Sequence, residues 1–110
     1  MSEREVKVIL VPIGQPARIE TMEDRLEVYQ AFVGGEIEGC ALPDGLYMIC
    51  HGEGALIGLP MNRYIPALEC WVHGPFIVCR VTSSGNTGSV REVGDLERMS
   101  AMMLTFGVIS

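Results

Sequence analysis

Apolar residues fall along this chain mostly in short runs and alternations, and spacing of the helical kind appears only twice. Val6 to Ile13 is β-branched and apolar almost throughout, the pattern of a buried strand, with Pro12 placing its end at an edge. Gly14-Gln15-Pro16 predicts a turn, and Ala17 to Thr21 a short return strand with Ile19 inward and Arg18 and Glu20 outward. Thr21 is placed to cap a helix, with Asp24 three residues on as a weak capping box. Leu26, Tyr29 and Phe32 or Val33 then recur at helical spacing until Gly34-Gly35 stops the helix.

The second half continues in strands. Glu36 to Leu42 reads as a strand bent at Gly39, and Pro43-Asp44-Gly45 is strong turn chemistry. Leu46 to His51 and Ala55 to Leu59 predict a hairpin around Gly52-Glu53-Gly54. Beyond Pro60 the chain reads as irregular through Asn62, Arg63, Pro66 and Glu69. Pro75 to Thr82 is an apolar strand, followed by a Ser83–Gly88 loop and an extended connector over Ser89–Val93. Asp95 is placed to cap a final helix with Leu96, Met99, Met103 and Phe106 on one face. The order predicts a single α+β domain over residues 1–110: a largely antiparallel, curled sheet of about five to seven strands covered by two helices.

Composition adds two constraints. Nearly half of the chain is apolar (48%) and mean hydropathy is +0.29, high for a domain of this size. The excess predicts exposed apolar surface and hence self-association as a dimer or larger ring. The net charge of −6 comes with eight scattered basic residues, which argues against direct nucleic-acid binding. Glu23, Asp24 and Glu27 lie in an acid-rich first third that could face a protein partner, although a solvated helix flank has the same composition. No apolar run approaches the ~20 residues that span a bilayer. Cys40, Cys50, Cys70 and Cys79 lack any Cys-x-x-Cys pairing, so the expected setting is the cytoplasm, with reduced thiols and no membrane association.

Several motifs together resemble a family of small uncharacterised domains carried by bacteriophages, plasmids and gut-bacterial mobile elements. They are Val8-Ile9-Leu10-Val11-Pro12, Val33-Gly34-Gly35-Glu36-Ile37-Glu38, Leu42-Pro43-Asp44-Gly45, Gly58-Leu59-Pro60-Met61-Asn62-Arg63 and Gly74-Pro75-Phe76. The resemblance implies a small α+β fold and an accessory role in a mobile element, and it transfers no catalytic residue. Beyond Val78 the chain departs from the pattern with the Ser/Gly-rich loop.

Candidate chemistry is sparse. Asn62 and Arg63 could read a carboxylate or phosphate through the guanidinium fork, or simply close a turn. The Ser83–Gly88 loop, with Asn86 in it and Arg80 and Arg91 beside it, could wrap an anion, though it matches no phosphate-loop pattern. Trp71 suits an interface anchor or a stacking platform as well as it suits a core. Cys70-x-x-His73, with Cys50, His51 and Cys79, suggests zinc, but buried cysteines as small hydrophobes explain the same residues better. No catalytic set converges, and no metal or other cofactor is expected. The leading expectation is a non-enzymatic accessory protein that binds a host protein. The alternative is a protein that binds a nucleotide-like or anionic small molecule at a subunit interface, and an enzyme using His73 or Cys70 comes third.

Overall fold

The computed structural model describes residues 4–103. Seven of its elements build one sheet with a helix on each face: β1 (Glu5–Val11), β2 (Arg18–Glu23), α1 (Leu26–Val33), β3 (Ile37–Ala41), β4 (Leu46–His51), β7 (Phe76–Val81) and α2 (Glu92–Met102). Between β4 and β7 the chain makes a separate two-stranded sheet, β5 (Met61–Ile65) with β6 (Cys70–His73). A two-residue strand, β8 (Thr87–Gly88), pairs with the end of β7 and completes a six-stranded sheet of order β2-β1-β7-β4-β3. Every pairing is antiparallel. The fold is α+β, as the pattern predicts. Among the described residues no helix is long and apolar enough to cross a membrane.

Strand alternation divides the core into two layers. Val6, Val8 and Leu10 of β1, Ile49 of β4, and Ile77 and Cys79 of β7 face α1, where Tyr29 and Val33 cover them. Ile9, Val11, Leu46, Met48, Phe76 and Val78 face the other way, against Met99 of α2 and Ile65 and Val72 of the β5–β6 hairpin. The central strands read as continuous apolar runs because both of their faces are covered.

Both helix starts differ from expectation. Thr21 does not cap α1: it lies exposed in β2, which continues to Glu23, and the helix starts after Arg25 with no side-chain cap. The acids still serve this corner, since Asp24 accepts from Arg4 (2.6 Å) and from the Tyr29 hydroxyl (2.7 Å). Leu26 is exposed, and the helix buries Tyr29 and Val33 before ending at Gly34, whose N–H bonds the carbonyl of Gln30. Asp95 lies one turn inside α2 rather than at its cap. Its carboxylate reaches back to the Arg91 N–H (2.7 Å), so it serves the same orphan donors from within the helix. The Ser89–Val93 connector is interrupted, because Glu92 already begins α2. Met103 is buried but extended beyond the helix, and Phe106 lies outside the described residues.

The largest difference falls between His51 and His73. Ala55–Leu59 is a series of turns, not a strand, and the segment after Pro60 is the regular one. The hairpin exists, but it forms one element later than the glycines suggest.

Candidate functional site

Asn62 and Arg63 are consecutive in β5, yet both are buried, at 3% and 1% exposure. A β-bulge explains this. Met61 pairs with His73 and Arg63 with Val72, so Asn62 is an extra residue and the normal alternation is broken there. The Asn62 amide donates to the carbonyls of Val11 (2.8 Å) and Gly74 (3.0 Å), which fastens the hairpin to the end of β1. Arg63 donates to the side-chain Oδ1 of Asn62 (2.6 Å) and to the backbone carbonyl of Gln15 (2.7 Å). Burial lowers the Arg63 pKa, and among the described residues its Nε has no hydrogen-bond partner. The two residues act as struts between strands.

The other candidates are dispersed. Arg80 makes a two-point ion pair with Asp95 (2.6 and 2.7 Å), and Arg98 adds a third contact at 3.1 Å. Hydrogen bonding to Arg80, then to the Arg91 N–H, holds the Asp95 carboxyl at about 2, below its usual range, even though burial opposes it. The same bond raises the Arg80 pKa. The cluster ties α2 to β7. Arg91 contributes its backbone N–H there, and Asn86 closes its own loop by bonding Thr82 and Ser84. Glu23 and Glu27 flank Arg25 at 3.7 and 3.6 Å, and Asp24 is committed to Arg4 and Tyr29.

Trp71, another of the ligand candidates, borders a cleft. The space, about 250 Å³, lies between the β3–β4 edge, the β6 strand and the turns after His51. Its walls carry Glu38, Cys40, Met48, Cys50, His51, Leu68, Cys70, Trp71 and His73, with Gly52, Gly54 and Ala55 at the turn. Register explains the first wall. Glu38 pairs with Cys50 and Cys40 with Met48, so these four side chains share one face of the β3–β4 ladder. On the opposite wall Trp71 packs against Tyr64 with ring centroids 5.5 Å apart and planes tilted by 59°.

Two glycines keep the turn close to β6. A Cβ at Gly54 would lie 2.8 Å from the His73 carbonyl oxygen. One at Gly74, where φ is +85°, would lie 2.7 Å from the end of the Leu59 side chain.

The histidines are fixed in opposite senses. His73 Nδ1 lies 2.9 Å from the Leu59 carbonyl, which can only accept, so this nitrogen donates. His51 Nδ1 accepts from the Glu53 N–H at 2.9 Å. Burial, then Glu38, Cys40 and Cys70, pushes the Cys50 thiol up to about 11. Cys79 lies on the opposite face of the sheet, among the residues under α1, and burial pushes it up to about 12. Of the cysteines and histidines singled out for zinc, Cys50, Cys70 and His73 border this cleft and Cys40 joins them, whereas the His51 ring lies beside Gly35 and Cys79 across the sheet. Among the described residues no three His, Cys, Asp or Glu are grouped to hold one ion. Sequence reasoning missed Glu38, Cys40 and Met48 as wall residues. The signal was their two-residue spacing on adjacent strands, readable only once the β3–β4 register is known.

No curated protein and no solved structure matches the chain. Residues 6–101 match the family described as a domain of unknown function, DUF3846, and the chain belongs to that family.

Proposed function

We propose that this is a binding protein that holds a small, uncharged or cationic ligand in the cleft between β3–β4 and the β5–β6 hairpin. One observation carries the reading: the wall combines Trp71, the three thiols of Cys40, Cys50 and Cys70 and the side chain of His73 with a single carboxylate, Glu38, and among the described residues no lysine or arginine lines it. Apolar surface with a few polar groups is the usual make-up of a ligand pocket. Without a cation in the wall, a phosphate or carboxylate would lose its hydration with nothing to replace it. This reading takes a neutral or cationic ligand in place of the anionic one that Arg63, Arg80 and Arg91 suggest from sequence.

Trp71 is the only tryptophan, so its emission reports on this cleft. Titration with matched neutral, cationic and anionic aromatic fragments should change that emission and raise Tm for the first two classes only. The rise should vanish in Trp71→Ala. Equal stabilisation of wild type and variant, or a preference for anions, would remove the assignment.

A second reading is favoured by the turn at the cleft rim, where Leu56 and Ile57 are 83% and 56% exposed. In it, the protein is a mobile-element accessory factor that engages a host protein, or a second copy of itself, through this apolar tip. A photo-crosslinker at Leu56 would then capture one stoichiometric partner in bacterial cells; capture no different from a crosslinker at exposed Glu5 would end this reading.

A further inference from the structure

We propose that the cleft is a site for a soft metal cation, Cu(I), held by the sulfur of Cys50 together with that of Cys40 or Cys70. The inference rests on the cleft-binding reading and narrows its ligand. Three of the four cysteines, Cys40, Cys50 and Cys70, border this one space, and the fourth, Cys79, lies across the sheet. Cys40 and Cys50 occupy diagonal positions on the same face of adjacent strands, and Cys70 comes from the opposite wall. The buried thioether of Met48 lies on the same face as Cys40 and Cys50.

Charge and donor type point the same way. The wall carries one carboxylate, Glu38, and among the described residues no lysine or arginine. A bound cation supplies the missing charge. Hard ions such as Ca²⁺ and Mg²⁺ favour oxygen ligands, and the wall offers one carboxylate against three thiols. Zinc takes four ligands in a tetrahedron, and no three candidate ligands are grouped here among the described residues. Thiolate and thioether sulfur select Cu(I), for which two sulfurs suffice. Binding breaks two S–H bonds, forms two Cu–S bonds and releases two protons. No electron is transferred, and affinity rises with pH.

The test uses Cu(I) itself, supplied without oxygen to the full-length protein and competed against a chromophoric Cu(I) chelator. Native mass spectrometry should find one copper per chain, with Trp71 emission quenched at the same stoichiometry. Cys50→Ser should weaken binding by roughly 10- to 100-fold or more, the Cys40→Ser/Cys70→Ser double variant should do the same, and Cys79→Ala should retain the metal. Unchanged binding in Cys50→Ser, preference for Zn(II), or no copper retained would overturn the proposal. If copper fails while a neutral fragment still changes Trp71 emission, the metal assignment falls and the cleft reading stands. If neither binds, both fall.

Discussion

The six-stranded sheet and the β5–β6 hairpin lie against each other, yet different forces hold them. Central strands of the sheet give apolar side chains to both layers: β7 alone sends Phe76 and Val78 one way and Ile77 and Cys79 the other. The hairpin gives Ile65 and Val72 to one layer and otherwise depends on polar struts, the amide of Asn62 and the guanidinium of Arg63. Close packing leaves no room for a ligand. Where polar struts replace packing, two walls can stand apart, and the cleft is found at that seam.

The strongest way to challenge this comparison is to strike the sheet. Phe76 is fully buried in β7, so Phe76→Ala should cost about 4 kcal/mol, or roughly 20 °C in Tm. Sheet and hairpin should unfold together, because the hairpin borrows its apolar support from this layer. A calorimetric trace that splits into two transitions would mean the hairpin is more independent than its contacts imply.

Asp95 tests the same side of the molecule electrostatically. Its carboxylate is fully buried between Arg80, Arg98 and the Arg91 N–H. Asp95→Asn should cost about 3 kcal/mol, since it leaves Arg80 without its partner. The folded-state pKa of about 2 lies below the unfolded value, which sets the sign. The contribution is complete above about pH 4 and is lost as pH falls through 2. Urea midpoints measured between pH 5 and pH 2 should fall more steeply for wild type than for Asp95→Asn.

What the sequence conceals follows the same division. Strands β1, β3, β4 and β7, the turn at Pro43–Gly45 and the stop of α1 at Gly34 are legible because apolar runs and turn residues agree there. At the hairpin they conflict. Gly52-Glu53-Gly54 has the look of a hairpin turn, and Leu56 and Ile57 the look of a strand, but they form an exposed tip. Asn62 and Arg63 read as a loop because two adjacent polar residues rarely face a core. Only a bulge lets both do so, and a bulge depends on pairing with Val72 and His73 that local pattern does not contain. The cleft was hidden for a related reason. Its cysteines were visible one by one, whereas their meeting depends on the β3–β4 register and on where β6 lies.

The hairpin itself can be loosened more gently. Asn62→Ala removes the donors to the Val11 and Gly74 carbonyls and leaves both buried, at a cost of about 2 kcal/mol. The effect should be local. Amides of Met61–Ile65 and Cys70–His73 should exchange faster with solvent, while those of β1 and β7 keep their protection. Uniform loss of protection would show that the struts support the whole fold, and the contrast between the two regions would disappear.

The smallest effect is expected at the tip, where it separates stability from recognition. Leu56 is the most exposed large apolar side chain among the described residues, and no apolar neighbour in either core layer includes it. Leu56→Ser should therefore change stability by less than about 0.5 kcal/mol. The same substitution should reduce self-association in sedimentation, or capture of a protein partner, if the tip is a contact surface. A stable variant that still associates as wild type does would take Leu56 out of the interface and leave the cleft walls, with Trp71 and the three thiols, as the part of the hairpin region that meets another molecule.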